Sequence, residues 1–148
     1  MMRLSWIACV GLIVAAQGTG AQTDSEHGVP RFLGYYVFAG PRHAEFAVHI
    51  ERGQYVARLA GGADPSAGAA SPADCSIRAV GKVNANQFVG FFTRIESATF
   101  SYSERRARAE QRVLQVEFGD GTARVTRADV AGYCGLGADF IGLYRRVR

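Results

Sequence analysis

The 148-residue sequence lacks a second long apolar run. Only residues 4–16 are almost continuously apolar, and nothing downstream approaches the roughly 20 residues that a membrane-spanning helix needs, so a transmembrane anchor is not expected. This single run follows Arg3 and leads into small residues that end at Ala21, which is the arrangement of a secretory signal peptide. We therefore predict that residues 1–21 are removed and that the protein is periplasmic or secreted.

Two alternatives concern how this leader is processed. Cleavage after Ala21 uses Thr19 and Ala21 as the small residues of the cleavage site, whereas cleavage after Ala16 would remove a shorter segment. Cys9 has a short lipobox-like context, but the eight residues before it are too few for both a charged region and an apolar core. We interpret Cys9 as an apolar residue of the leader.

Lysine is almost absent, because Lys82 is the only one and every other basic residue is arginine. Without the leader the chain keeps 127 residues, the size of one domain that can bury a core. Loss of Arg3 reduces the 17 basic residues to 16 against 13 acidic ones, a formal charge of +3. This charge is too mild to predict a nucleic-acid binder. The arginine bias fits either a GC-rich genome or a surface that meets carboxylates or phosphates through planar guanidinium groups.

A C-x-x-C pair is also missing, so thiol redox catalysis is not expected. Once the leader is removed, Cys75 and Cys134 remain, and an even pair in an oxidising compartment predicts a disulfide. The two cysteines are 59 positions apart. Closing a loop of that length stabilises the fold by roughly 4 kcal/mol in the chain-entropy account.

Recognisable catalytic and metal-binding motifs are missing as well. The serines lie in strand-like runs without a Gly-x-Ser-x-Gly elbow, and the acidic residues mostly flank turns. His43, Glu45 and His49 share the outward face of a predicted strand. The two histidines would lie roughly 20 Å apart at about 3.3 Å per residue, so they cannot share one ion. We expect no metal and no other cofactor.

Long helical patterns are scarce, and short alternating runs replace them. Phe46, Val48 and Ile50 fall on one face with polar or small residues between them, which is typical of a half-buried strand. Strands are predicted at 33–39, 44–50, 55–60, from Cys75 onward, and at 88–95, 98–103, 113–118, 122–126 and 140–147. Eight or nine short strands predict an all-β fold, an antiparallel eight-stranded up-and-down barrel, with a β-sandwich as the alternative.

Three segments interrupt this strand pattern. Residues 22–31 are polar and turn-rich and are predicted to be a flexible lead-in to a single barrel domain at 32–148. Residues 61–74 are rich in glycine, alanine, serine and proline and predict a long loop. Residues 104–111 form either a short helix or a solvated loop.

The segment 104–111 also contains an arginine cluster. Arg105, Arg106 and Arg108 would project at one end of the barrel. They are either part of a soluble loop, partly balanced by neighbouring glutamates, or a binding site for an acidic partner or an anionic envelope lipid.

The first and last predicted strands carry a short motif. The first opens with Gly34 and has Tyr36 two positions later, and the last ends near Arg145 and Arg146. A Gly-x-aromatic opening with an arginine at the end of the final strand resembles the calycin superfamily of barrels, which includes the lipocalins. The resemblance implies that Arg145, or Arg146, packs over Tyr36 and closes one end of the barrel. The tryptophan usual in that family is missing, because the only one, Trp6, lies in the leader.

In size, export and single disulfide the chain is also similar to the periplasmic inhibitors of c-type lysozyme, although it lacks their Ser-Gly-containing loop. We therefore predict an exported, non-enzymatic binding or interaction module, either inhibitor-like or small-ligand-binding, whose partner is a protein or a small molecule. The alternative is an exported hydrolase whose site is assembled from residues distant in sequence.

Overall fold

The computed structural model describes residues 30–62, 75–97, 100–134 and 138–147, without the side chains of residues 100 and 101. The predicted leader and most of the predicted loop at 61–74 lie outside this part of the chain. The alternating runs form β1 (Gly34–Phe38), β2 (Ala44–Glu51), β3 (Gln54–Gly61), β4 (Cys75–Asn84), β5 (Gln87–Ser97), β6 (Phe100–Tyr102), β7 (Val113–Gly119), β8 (Thr122–Ala128) and β9 (Gly142–Arg146). One helix, α1 (Glu104–Glu110), lies between β6 and β7.

Eight of these strands close into an antiparallel up-and-down barrel. The strands β1 to β5 pair in chain order, β5 continues to β7, and β7, β8 and β9 follow until β9 pairs with β1. The ninth strand, β6, pairs with the end of β5 beside the barrel. Every barrel strand therefore has a hydrogen-bonded neighbour on both sides, which confirms the predicted barrel and excludes the sandwich.

The interior of the barrel is filled by side chains from all around the sheet. The largest fully buried ones are Tyr36, Tyr144, Phe46, Phe88, Phe92, Phe140, Leu59, Ile77, Ile95 and Leu114. The ring of Phe46 lies 6.2 Å from that of Phe118 and 6.1 Å from that of Tyr144, measured between centroids. Among the described residues no charged side chain is buried. The centre of the barrel is thus a packed apolar core.

One end of the barrel, the hairpin end, contains the β2–β3, β4–β5 and β7–β8 turns. The segment before β1 crosses this end, where the Phe32 ring lies 5.0 Å from that of Phe118 and 5.5 Å from that of Tyr55. The Tyr36 hydroxyl donates a hydrogen bond to the Phe32 carbonyl at 2.8 Å. These contacts extend the aromatic core to the edge of the barrel.

The opposite end contains the disulfide. Cys75, the first residue of β4, is bonded to Cys134 in the segment after β8, with 5.5 Å between their Cα atoms. This confirms the predicted pairing. The bond joins strand β4 to the irregular connection between β8 and β9.

The helix-forming stretch is helical rather than an open loop. Ser103 caps the first turn by accepting a hydrogen bond from the Arg106 backbone N–H, and Gln111 ends α1 in the left-handed region at φ 46°. Ala107 is the buried residue of this helix and packs into the core. None of the helices in the described ranges is long and apolar enough to cross a bilayer.

The last strand is shorter than predicted. It begins at Gly142 rather than at residue 140, because the Asp139 carboxylate accepts the Ile141 backbone N–H and forms a turn there. Phe140 is buried in the core, and its carbonyl accepts the Tyr144 hydroxyl at 2.9 Å. The apolar pattern at this position thus marks a core residue outside the sheet.

Candidate binding surface on the outer wall of the barrel

Three arginines stand side by side on the outer wall. Arg58 on β3, Arg78 on β4 and Arg94 on β5 are direct cross-strand partners, and we call them the arginine row. Like charges placed directly opposite each other on a sheet are destabilising. The row therefore needs nearby carboxylates.

Glu51, the last residue of β2, supplies the central carboxylate. It accepts hydrogen bonds from Arg78 Nη2 at 2.7 Å and from Arg58 Nη2 at 3.1 Å. His49 Nε2 lies 2.6 Å from the same carboxylate. The hydrogen bonds from His49 and then Arg78 lower the pKa of Glu51 from 4.5 to about 2. Glu51 is thus a firmly ionised acceptor at neutral pH.

This network covers an apolar residue on the outside of the barrel. Since β3 lies between β2 and β4, the Glu51–Arg78 ion pair passes over β3. Val56 of β3 is paired with His49 and Val80 on that face and is 1% exposed, although it is not part of the interior core. The charged side chains therefore form an ordered layer above Val56.

The third arginine is held differently. Arg94 pairs with Glu96 two positions along β5. The register of the β4–β5 pairing shifts at Arg78. There the Thr93 hydroxyl accepts a hydrogen bond from Arg78 Nη1 at 3.0 Å and donates one to the Arg78 carbonyl at 3.2 Å. The irregularity in β5 thus connects the side chain and the backbone of the middle arginine to the neighbouring strand.

Beside the arginine row lies a groove of about 580 Å³. Its charged lining residues are Arg52, Arg78, Arg94, Glu51 and Glu104. Arg52 occupies the β2–β3 turn in the left-handed region at φ 50°, followed by Gly53 at φ 76°. The groove therefore presents three guanidinium groups and two carboxylates to solvent.

A second charged cluster joins α1 to the segment that holds the disulfide. Glu110 accepts hydrogen bonds from Arg106 Nε at 2.8 Å, Arg112 Nε at 2.7 Å and the Tyr133 hydroxyl at 2.7 Å. These hydrogen bonds, of which the one from Arg106 has the largest effect, lower the pKa of Glu110 to about 2. The guanidinium carbons of Arg106 and Arg112 lie 5.2 and 4.2 Å from the Tyr133 ring centroid. This arrangement anchors the helix next to Cys134.

The three arginines predicted as a binding site have different surroundings. Arg106 contacts Glu110 and Tyr133. Arg105 and Arg108 are exposed, and Arg108 forms a long ion pair of 3.7 Å with Glu104. The structure thus places one of them within the protein's own network and two toward solvent.

The residues suggested by the calycin resemblance lie at the hairpin end. Tyr36 is directly opposite Arg146 in the β1–β9 pairing, and Arg145 is opposite Val37 on the outer face. Arg146 donates hydrogen bonds to two backbone carbonyls of the segment before β1, those of Arg31, at 2.7 Å, and Leu33. The arginine that fastens the covering segment is therefore Arg146.

In the described part of the chain, Glu45 and His49 have different partners. Glu45 accepts a hydrogen bond from the Tyr35 hydroxyl, which raises the pKa of that tyrosine to about 12, whereas His49 contacts Glu51. Within the described ranges, no group of three or more histidine, cysteine, aspartate or glutamate side chains is placed to hold a metal ion.

Sequence reasoning missed the arginine row and its groove. Arg78 lies 20 positions after Arg58 and 16 before Arg94 along the chain, with no local motif around them. The one available signal is that Arg58 and Arg78 both occupy outward positions of alternating strands. That signal marks exposure and does not reveal that the residues are neighbours.

No family model matches this chain, and no curated protein and no solved structure is significantly similar to it.

Proposed function

We propose that this is an exported, non-enzymatic interaction protein that binds a protein partner through the outer surface of its barrel. The observation that carries the proposal is the filled interior: aromatic and aliphatic side chains such as Phe46, Phe88 and Phe92 occupy the space in which a carrier barrel would hold its ligand. The charged side chains, in contrast, lie on the outer surface, including those that line the groove beside the arginine row.

The chemistry of the best-connected carboxylates supports a binding role over hydrolysis. Catalytic acids and bases work best when their pKa lies near the operating pH. Arginines and other donors hold the pKa of both Glu51 and Glu110 at about 2, far below that range. These side chains are suited to fixing their neighbours in place.

Export is proposed from the predicted leader at 1–21, and the Cys75–Cys134 disulfide is compatible with it, since such bonds persist in oxidising compartments. Recovery of the protein from the envelope of the producing cell, followed by mass spectrometry, tests this part. We expect a chain that begins at Gln22, oxidised at the two cysteines. An intact leader on cytoplasmic protein would contradict export.

Site-specific photo-crosslinking tests the interaction. A photoreactive phenylalanine is placed at Gln54 beside the groove, at Arg108 on α1 or at Thr126 on β8, three exposed positions on different parts of the surface. We expect a discrete crosslink to a protein from at least one of them. No crosslink from any position, or a stoichiometric small molecule retained in the native mass, would overturn the proposal.

The narrower possibility of a lysozyme inhibitor has its own assay. The protein is added in large molar excess to lysozyme digesting cell walls. Slower lysis would support inhibition, and unchanged lysis would remove lysozyme from the candidate partners.

A further inference from the structure

We propose that the groove beside the arginine row binds an acidic peptide segment of the partner. This inference rests on the proposed function and specifies its surface and the chemistry it recognises. One carboxylate of the segment would bind Arg94 in the groove lining, and a second would bind Arg58, which lies outside the lining on the other side of the fixed Arg78.

The outer arginines retain donors for such a ligand. The side chains of Arg58 and Arg94 are 60% and 64% exposed. Within the described residues each uses a single terminal nitrogen for its carboxylate, out of five N–H donors on a guanidinium. A second carboxylate can therefore bind the same group through the remaining donors, as the planar fork permits.

The middle of the row is fixed before any ligand arrives. Arg78 is held by Glu51 on one side and Thr93 on the other, above the buried Val56. An ordered guanidinium loses less conformational freedom on binding than a mobile one, so more of the interaction energy contributes to affinity. The network thus prepares a binding surface.

The lining of the groove favours a peptide over a polyanion. Glu51 and Glu104 stand among Arg52, Arg78 and Arg94, so a continuous run of phosphates would meet two carboxylates as well as three cations, whereas a peptide can place neutral residues opposite the carboxylates. The Gln54 amide and the Ser103 hydroxyl also line the groove, and these neutral hydrogen-bonding groups suit the amides of a peptide.

Bases would also lack a stacking surface here. Proteins that bind single-stranded nucleic acids stack bases on exposed aromatic rings. Among the described residues that line the groove the aromatic one is Tyr102, and it is 3% exposed.

The spacing of the row fits an extended segment. Neighbouring strands are about 4.8 Å apart, so Arg58 and Arg94, two strands apart, have backbones roughly 10 Å apart. Side chains at positions i and i+2 of an extended peptide are separated by about 7 Å. Flexible arginine side chains can cover the difference, so alternating acidic residues match the site.

Fluorescence anisotropy with a defined probe tests the inference. The oxidised full chain is titrated into a fluorescein-labelled peptide, Gly-Ser-Glu-Ser-Glu-Ser-Gly, and into its twin with glutamine for glutamate, at about 0.15 M salt. We expect the glutamate peptide to bind about tenfold more tightly than its twin, and Arg94→Gln to remove about tenfold in affinity. Arg124→Gln, the same charge change on β8, is expected to leave the Kd within about twofold.

The internal carboxylates give a second, opposite test. Glu96 neutralises part of the Arg94 charge and repels a ligand carboxylate placed next to it, so Glu96→Gln should tighten binding by about threefold. Glu117→Gln, an equal charge change on β7, should not. Equal effects of the two arginine variants, equal effects of the two glutamate variants, or a single-stranded oligonucleotide that binds more tightly than the peptide would each overturn the inference. Circular dichroism confirms that every variant is folded.

Failure here is separable from failure of the proposed function. A protein crosslinked through Arg108 or Thr126 but not through Gln54 would remove the groove and keep the interaction role. Absence of crosslinks from all three positions would remove both.

Discussion

Glu51 and Arg78 form a 2.7 Å ion pair although their strands, β2 and β4, are not neighbours in the barrel. The pair bridges over β3, and because Arg58 of β3 also bonds Glu51, side chains link three strands in addition to the backbone ladder. The outer wall at this point is therefore organised by charge, in contrast with the apolar interior a few ångströms away.

The first prediction concerns the pH dependence of this pair. The folded-state pKa of Glu51, about 2, lies below its ordinary value of 4.5, so its stabilisation is complete well above pH 4.5 and is lost as the pH falls toward 2. Glu51→Gln should therefore unfold at lower urea concentration than the parent at pH 7, and the gap should close between about pH 4.5 and 2. Glu117→Gln is the control, and a gap independent of pH would contradict the assignment.

The second prediction separates the two faces of β5. Phe92 is buried in the core, whereas Phe91, its neighbour in sequence, is 51% exposed. Phe92→Ala should lower the free energy of unfolding by about 3–5 kcal/mol. Phe91→Ala should change it by less than about 0.5 kcal/mol. Urea unfolding measures both. Similar losses for the two variants would indicate a shifted register of β5.

The third prediction compares two buried tyrosine hydroxyls. The Tyr144 hydroxyl donates to the Phe140 carbonyl, whereas that of Tyr102 has no hydrogen-bond partner in the described part of the chain. Tyr144→Phe should cost about 1 kcal/mol, and Tyr102→Phe should be neutral or stabilising. Thermal unfolding monitored by circular dichroism distinguishes them, and a larger loss for Tyr102→Phe would reveal a partner for that hydroxyl.

The fourth prediction concerns the cover over the hairpin end. Arg146→Gln removes the charged donor to the Arg31 and Leu33 carbonyls and should cost about 1 kcal/mol. Arg145→Gln, an equal change on the outer face, should stay within about 0.5 kcal/mol of the parent. Hydrogen exchange should show faster opening around Phe32 in the first variant alone. If Arg145→Gln has the larger effect, the closing contact is at Arg145.

The strands could be predicted from the sequence because the side chains on one face of each strand point into the core. Phe46 and Val48 alternate with less buried residues, and that period of two survives in the fold. Local hairpins such as β2–β3 followed from their turns. The cysteine pairing followed from the count once the predicted leader was set aside.

The arginine row could not be predicted from the sequence, because the register between two strands is set by how they pair and not by the sequence of either strand alone. The shift at Arg78 in the β4–β5 pairing decides which residue of β5 stands beside Arg78, and a slip of one residue would turn Arg94 to the other face. The Glu110 cluster was hidden for a related reason, since its partner Tyr133 is 23 positions away. Separation in sequence conceals both networks.

The Cys75–Cys134 bond closes a covalent loop that contains half of the barrel strands and leaves the other half outside it. Strands β4, β5, β7 and β8 lie within the loop that it closes, together with α1, whereas β1, β2, β3 and β9 lie outside it. A protease that cuts at the exposed Arg105 or Arg108 would therefore release no fragment, because the two pieces stay joined through sulfur. The nicked molecule would therefore remain one covalent unit until the disulfide is reduced, so a single backbone cut in α1 would leave its two pieces connected.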